Sequence, residues 1–134
     1  MYPPETVVAE KFEAMVRLGL SNGRVKDFHD MWVSTRIFEF DLSTLVEATG
    51  GTLRRRETAR PSGTPDGLTP IYAQTAEQNG LWRGFLRRNP PTLQPPPFAD
   101  LLGELRRFFG PVIAGLASPE FADGRWDPGA GVWR

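Results

Sequence analysis

Seven residues near the start of the chain, Arg24-Val25-Lys26-Asp27-Phe28-His29-Asp30, gather two carboxylates, two cations and the chain's one histidine. Such a set can do chemistry. A carboxylate facing a cleft can hold a divalent cation or orient a nucleophile, and an arginine or lysine beside it can meet phosphate. The same residues can equally make a plain helix start. Its local ion pairs, Arg24 to Asp27 and Lys26 to Asp30, would each contribute about 0.5 kcal/mol or less. Lys11 is the one other basic group that a neighbouring helix would bring within reach. With His29 the only histidine and no cysteine, a histidine-rich metal site, thiolate chemistry and disulfides are excluded.

The elements that must position these groups read as helices. After the extended Tyr2-Pro3-Pro4, the first helix opens at Glu5 or Thr6. Val8, Phe12, Met15 and Val16 recur at helical spacing and form a buried stripe. Lys11 lies at the edge of that stripe, with its stem packed and its ammonium in a cleft. Gly19 and Ser21-Asn22-Gly23 end the helix. A second helix starts near Arg24, with Ser21 or Asn22 as its cap. It turns Phe28, Met31 and Trp32 inward and sets Arg24, Asp27 and Asp30 on a separate polar face.

Beyond it, Phe38-Glu39-Phe40 alternates like a short extended piece, and Asp41 or Ser43 caps a third helix that Gly50-Gly51 should break or fray. Thr69-Pro70 is a helix start, with an interruption expected at Asn79-Gly80. Residues 89–97 hold five prolines and read as an extended linker. Residues 98–116 form the clearest amphipathic helix, which Pro111 should kink or restart. Residues 118–134 lack any period and are expected to form an irregular, mobile tail, with Trp126 or Trp133 able to tuck against the body. The fold class is therefore all-α, with a helical region over 1–117. The 134 residues carry 16 basic and 16 acidic side chains, so net charge gives no reason to expect a polyanion partner, although local patches remain open. Arg54-Arg55-Arg56 with Arg60 is one such patch, either a solvated helix end or a phosphate contact. No run is apolar enough to span a bilayer and the N-terminus is no signal peptide, so a cytoplasmic, non-membrane protein is expected.

Two segments carry a family resemblance: Tyr2-Pro3-Pro4-Glu5-Thr6-Val7-Val8-Ala9-Glu10-Lys11-Phe12, and Asn22-Gly23-Arg24-Val25-Lys26-Asp27-Phe28-His29-Asp30-Met31-Trp32. They resemble the C-terminal half of the AbiEii/AbiGii nucleotidyltransferase toxins, polymerase-β-like proteins of abortive-infection and type IV toxin–antitoxin systems. The resemblance continues through Thr69-Pro70, Trp82 and Phe85-Leu86 into the last helix. It implies that Lys11 is the active-site lysine that neutralises nucleotide phosphates. Asp27 would be the acid of the last motif, near the catalytic centre, with Arg24, Lys26 and Asp30 binding substrate in the same motif. It also implies an enzyme that, when complete, uses Mg²⁺ to transfer a nucleotidyl group from an NTP to an acceptor, with tRNA as one candidate. A cognate antitoxin would be its partner, and phage defence its setting.

The family carries, ahead of this region, a Gly-Ser or Gly-Gly turn and a pair of metal-binding acids spaced Asp-x-Asp or Asp-x-Glu on a strand. Asp41, Asp66, Asp100, Asp123 and Asp127 have no such partner here. The expectation is a helical, bundle-like C-terminal region without its catalytic α/β half, through truncation, gene decay or a misplaced start. Such a chain would hold no metal of its own, would be inactive alone, and would leave apolar surface uncovered near Lys11 and Asp27. The rival readings are a non-catalytic module that binds an antitoxin or RNA, and a decayed product without activity.

Overall fold

A computed structural model describes residues 2–134. Its helices are α1 (Pro4–Leu18), α2 (Val25–Ile37), α3 (Leu42–Arg55), α4 (Pro70–Gln74), α5 (Ala76–Arg88) and α6 (Phe98–Ala117). Three short strands, β1 (Phe40–Asp41), β2 (Arg125–Asp127) and β3 (Val132–Trp133), make an antiparallel sheet in the order β1-β2-β3. The protein is thus mostly helical with one small sheet. No helix among the described residues is long and apolar enough to cross a membrane.

The core forms around α6. Leu101, Leu102, Leu105, Phe108, Phe109 and Val112 recur every three or four residues and are all fully buried. Phe12 of α1 packs on Phe109 with ring centroids 4.6 Å apart. Phe28 of α2 meets Tyr72 and Phe98, and Trp82 of α5 stacks on Phe98 at 4.7 Å. Through this shared apolar layer α1 and α2 become neighbours. The 3₁₀ turn Asp66–Leu68 closes the layer, and it needs Gly67 there, because a Cβ at that position would fall 2.9 Å from Met15 Cγ.

Several sequence expectations give way to packing. Gly50-Gly51 does not break α3, which continues to Arg55 and buries Thr49, Thr52 and Leu53. Two helical glycines cost roughly 2 kcal/mol, and burying that face offsets it. The break expected at Asn79-Gly80 falls instead at Thr75, whose hydroxyl accepts the Gln78 N–H and caps α5. Pro111 sits inside α6 without restarting it, since the flanking Phe108, Phe109 and Val112 are held in the core.

The largest difference is at 118–134, expected to be irregular and mobile. Those residues form a 3₁₀ turn and a hairpin. Trp126 pairs across the sheet with Phe40 on one side and Trp133 on the other. Trp126 is buried and donates its indole N–H to the Thr35 carbonyl at 2.7 Å, and Trp133 donates to the Phe108 carbonyl at 2.9 Å. Two indoles with satisfied donors hold the segment to the body.

Candidate phosphate-handling site

The connection between α1 and α2 sets the site. Gly19, at φ 58°, ends α1 in a conformation that side chains disfavour, and its N–H returns to the Met15 carbonyl. Asn22 is buried. Its Oδ1 accepts the Arg24 N–H at 2.9 Å, and its carbonyl accepts the Tyr72 hydroxyl. Burial, with Glu77 adding to it, pushes the Tyr72 hydroxyl up to about 12, so it keeps the proton it donates. The expected cap therefore works from two residues outside: Asn22 fixes the backbone of Arg24, and Arg24 itself has no capping side chain.

This geometry brings together all five residues singled out from the sequence. Lys11 Nζ lies 3.0 Å from Asp27 Oδ1 and 3.2 Å from Asp30 Oδ2. Lys26 Nζ lies 2.8 Å from the same Asp30 oxygen. Arg24 Nε lies 2.9 Å from Asp27 Oδ2, within ion-pair range but outside hydrogen-bond geometry, so this buried oxygen has no hydrogen bond. Three cations thus surround two carboxylates. Burial opposes the charge on Lys11, but the hydrogen bonds and charges of Asp27 and Asp30 outweigh it and hold its pKa above the ordinary lysine value. Burial likewise opposes ionisation of Asp30, yet Lys26 and Lys11 hold its carboxyl below the usual range. An ammonium has three N–H donors. Two of those on Lys11 are used and one has no protein partner, and Lys11 lines a groove.

That groove, of about 590 Å³, runs between α1 and the C-terminal end of α3. Tyr2 and Val7 are exposed along it, and Arg17, Arg24, Arg55 and Arg56 enter from its sides. Glu13 is buried in its floor, held by Arg17 Nε at 2.9 Å and the Thr58 hydroxyl at 2.6 Å. Burial works against its charge, but those two bonds prevail and keep its carboxyl below the usual value. Glu10 takes one guanidinium on each oxygen, Arg55 at 2.9 Å and Arg56 at 3.0 Å.

The sequence had marked Arg55 and Arg56 only as an open patch, and it gave no role to Glu10, Glu13 or Arg17. The Glu13–Arg17 spacing of four was a visible signal. Nothing in the sequence could announce pairs 45 and 46 residues apart. Arg60 leaves the patch and donates to the Leu116 carbonyl. His29 packs its ring against Trp82 and Phe85 while its Nδ1 stays 3.9 Å from Asp30 Oδ1, and its Nε2 is buried without a partner.

Asp27 and Asp30 do not fit a Mg²⁺ site. Cations cover both carboxylates, and no group of three His, Cys, Asp or Glu among the described residues could hold a metal ion. The arrangement suits an anion. Lys11 and Arg24 both line the groove, and Asp27 and Asp30 hold their charged groups.

Comparison with known proteins bears on what that anion is. Neither the curated proteins nor the solved structures gave a match to this chain. The family model described as nucleotidyl transferase AbiEii toxin, type IV TA system, matches residues 1–104, which contain the whole Lys11–Asp30 cluster. Membership supports a nucleotidyl-transferase-type function in a toxin–antitoxin system and implies an antitoxin partner. The chain belongs to the AbiEii toxin family.

Proposed function

We propose that this chain supplies the phosphate-handling helical region of a polymerase-β-like nucleotidyltransferase, which transfers a nucleotidyl group from an NTP to a hydroxyl acceptor such as the end of a tRNA. The observation that carries this reading is the Lys11 ammonium, fixed by Asp27 and Asp30 with one donor unpaired, on a residue that lines the groove. In nucleotidyl transfer the attacking hydroxyl takes the α-phosphorus and pyrophosphate leaves with the electron pair of the broken bond. A lysine and an arginine placed at the leaving phosphates offset the charge that develops there. Such preorganised contacts are worth about 3 kcal/mol, roughly a hundredfold in rate. Asp27 holds Lys11 with one oxygen and faces Arg24 at 2.9 Å with the other, so it positions both cations. Arg24 and Lys26 keep the cluster one positive charge in excess. The Mg²⁺ expected of the family finds no ligand set among the described residues.

The test is calorimetric titration of the chain with an NTP, without metal. Lys11→Met should weaken binding about tenfold or more, as loss of a charged hydrogen bond to phosphate does, with helicity unchanged. Equal affinity in Lys11→Met would remove Lys11 from the site. A second reading, a non-catalytic module that binds RNA or an antitoxin, is favoured by the arginine-rimmed groove and by the lack of a metal-holding acid cluster among the described residues. Binding of RNA without any response of NTP affinity to Lys11→Met would select it.

A further inference from the structure

The groove beside Lys11 is layered by charge. Its acids lie deep: Glu13 is buried and Glu10 is half-covered. Its guanidiniums lie at the rim, where the side chains of Arg17, Arg55 and Arg56 are 45%, 62% and 53% exposed. An approaching anion therefore meets the cations first, although the acids they touch lie beneath. Glu10 holds Arg55 and Arg56 side by side, one on each oxygen, which removes part of the conformational entropy that two free arginines would lose on binding. Two guanidiniums held together in this way suit consecutive phosphates better than a single small anion. Tyr2 lines the same groove with its ring exposed, and an exposed aromatic beside a cationic track is the pattern on which unpaired bases stack.

We propose that the α1–α3 groove binds single-stranded nucleic acid, with Arg55, Arg56 and Arg17 on successive phosphodiesters and Tyr2 under a base. Its placement as the path of the acceptor strand toward Lys11, which lines the same groove, rests on the nucleotidyltransferase reading, but strand binding is measured without it.

The probe is a 5′-labelled oligouridylate of about twelve nucleotides, followed by fluorescence anisotropy in EDTA with no NTP, in parallel with the matching DNA and with a duplex. The unmodified chain should bind both single strands better than the duplex. Arg55→Glu with Arg56→Glu should weaken binding at least tenfold and flatten the salt dependence by about 1.4 in log–log slope, since each phosphate contact on a single strand contributes about 0.7. Arg87→Glu with Arg88→Glu, on α5 away from the groove, imposes the same net charge change and should alter affinity far less. Tyr2→Ala should cost about fivefold with no change in slope. Failure of the unmodified chain to bind, or equal losses in the two double variants, would overturn it. None of those results touches the NTP titration with Lys11→Met, so the two readings fail separately.

Discussion

The Lys11–Asp27 pair should couple more strongly than any other ion pair in the cluster, and a double-mutant cycle can measure this. In the pair, 21% of the Lys11 side chain and 11% of the Asp27 side chain remain exposed, and the groups stand 3.0 Å apart. Two unit charges at about 4 Å attract by roughly 4 kcal/mol at an effective dielectric of about 20, and the desolvation of both groups consumes much of that. Asp30, 3.2 Å from the same ammonium, remains when Asp27 is lost and keeps part of the stabilisation. The expected coupling is therefore about 1–2 kcal/mol, between the exposed and the buried limits. Lys26–Asp30 is the internal control. It is shorter, at 2.8 Å, but its lysine side chain is 69% exposed, and the expected coupling is about 0.5 kcal/mol.

The assay is urea unfolding of Lys11→Met, Asp27→Asn and the double variant at neutral pH, repeated for Lys26→Met with Asp30→Asn. The pH dependence follows with a definite sign. Asp30 has a depressed pKa, so its contribution is present above about 3.8 and is lost as pH falls through the folded value. Lys11 has a raised pKa, so its contribution is complete below about 10.5 and is lost as pH rises through the folded value. A Lys11–Asp27 coupling below that of Lys26–Asp30 would show that burial does not decide which pair matters.

Two other expectations concern the scaffold. Burial, against the pull of Asp30, depresses the His29 pKa, so its contribution is present above about 6.5 and is lost as pH falls below that; thermal unfolding between pH 7.5 and 5 should show this loss, and His29→Phe, which suits the surrounding aromatics, should flatten it. Within α6, a Cβ at Gly103 would meet only the end of the Arg106 side chain, at 3.4 Å, and Gly103→Ala should stabilise by about 0.5–1 kcal/mol in urea, whereas a Cβ at Gly115 would fall 2.6 Å from Val46 Cγ2, so Gly115→Ala should destabilise by about 1–3 kcal/mol.

The helices were legible wherever apolar residues kept a period of 3.6 over three turns or more. Leu101 through Val112 are the clearest case, and Asp41 as the cap of α3 followed from local chemistry, its carboxylate accepting the Thr44 N–H. The hairpin at 125–133 was not legible, because strands of two and three residues are too short to show alternation, and their stability comes from Trp126 and Trp133 reaching carbonyls far back in the chain. Propensity misplaced two helix breaks. The glycines at 50 and 51 are overruled by the buried face of α3, and the real stop lies at Thr75.

At the site, Arg24–Asp27 and Lys26–Asp30 could be read from i+3 and i+4 spacing. The approach of Lys11 to both acids depended on two helices turning back on each other at Gly19 and Asn22, which the turn residues signalled. The groove wall formed by Glu10, Arg55 and Arg56 joins α1 to α3 through tertiary packing alone.

Nucleotidyl transfer itself is the most direct test of a role for Lys11 and Asp27. The measurement is incorporation of labelled nucleotide into bulk tRNA by this chain fused behind the metal-binding half of another AbiEii-family enzyme, with circular dichroism on every variant. The unfused chain should incorporate nothing, since no acid cluster among its described residues can hold a metal. In the fusion, Lys11→Ala and Asp27→Ala should each lower incorporation about a hundredfold while helicity is kept, and Arg88→Ala should leave it unchanged. Full incorporation by the fused Asp27→Ala variant would contradict the account and return Arg24 to Asp30 to the status of a helix start with local ion pairs.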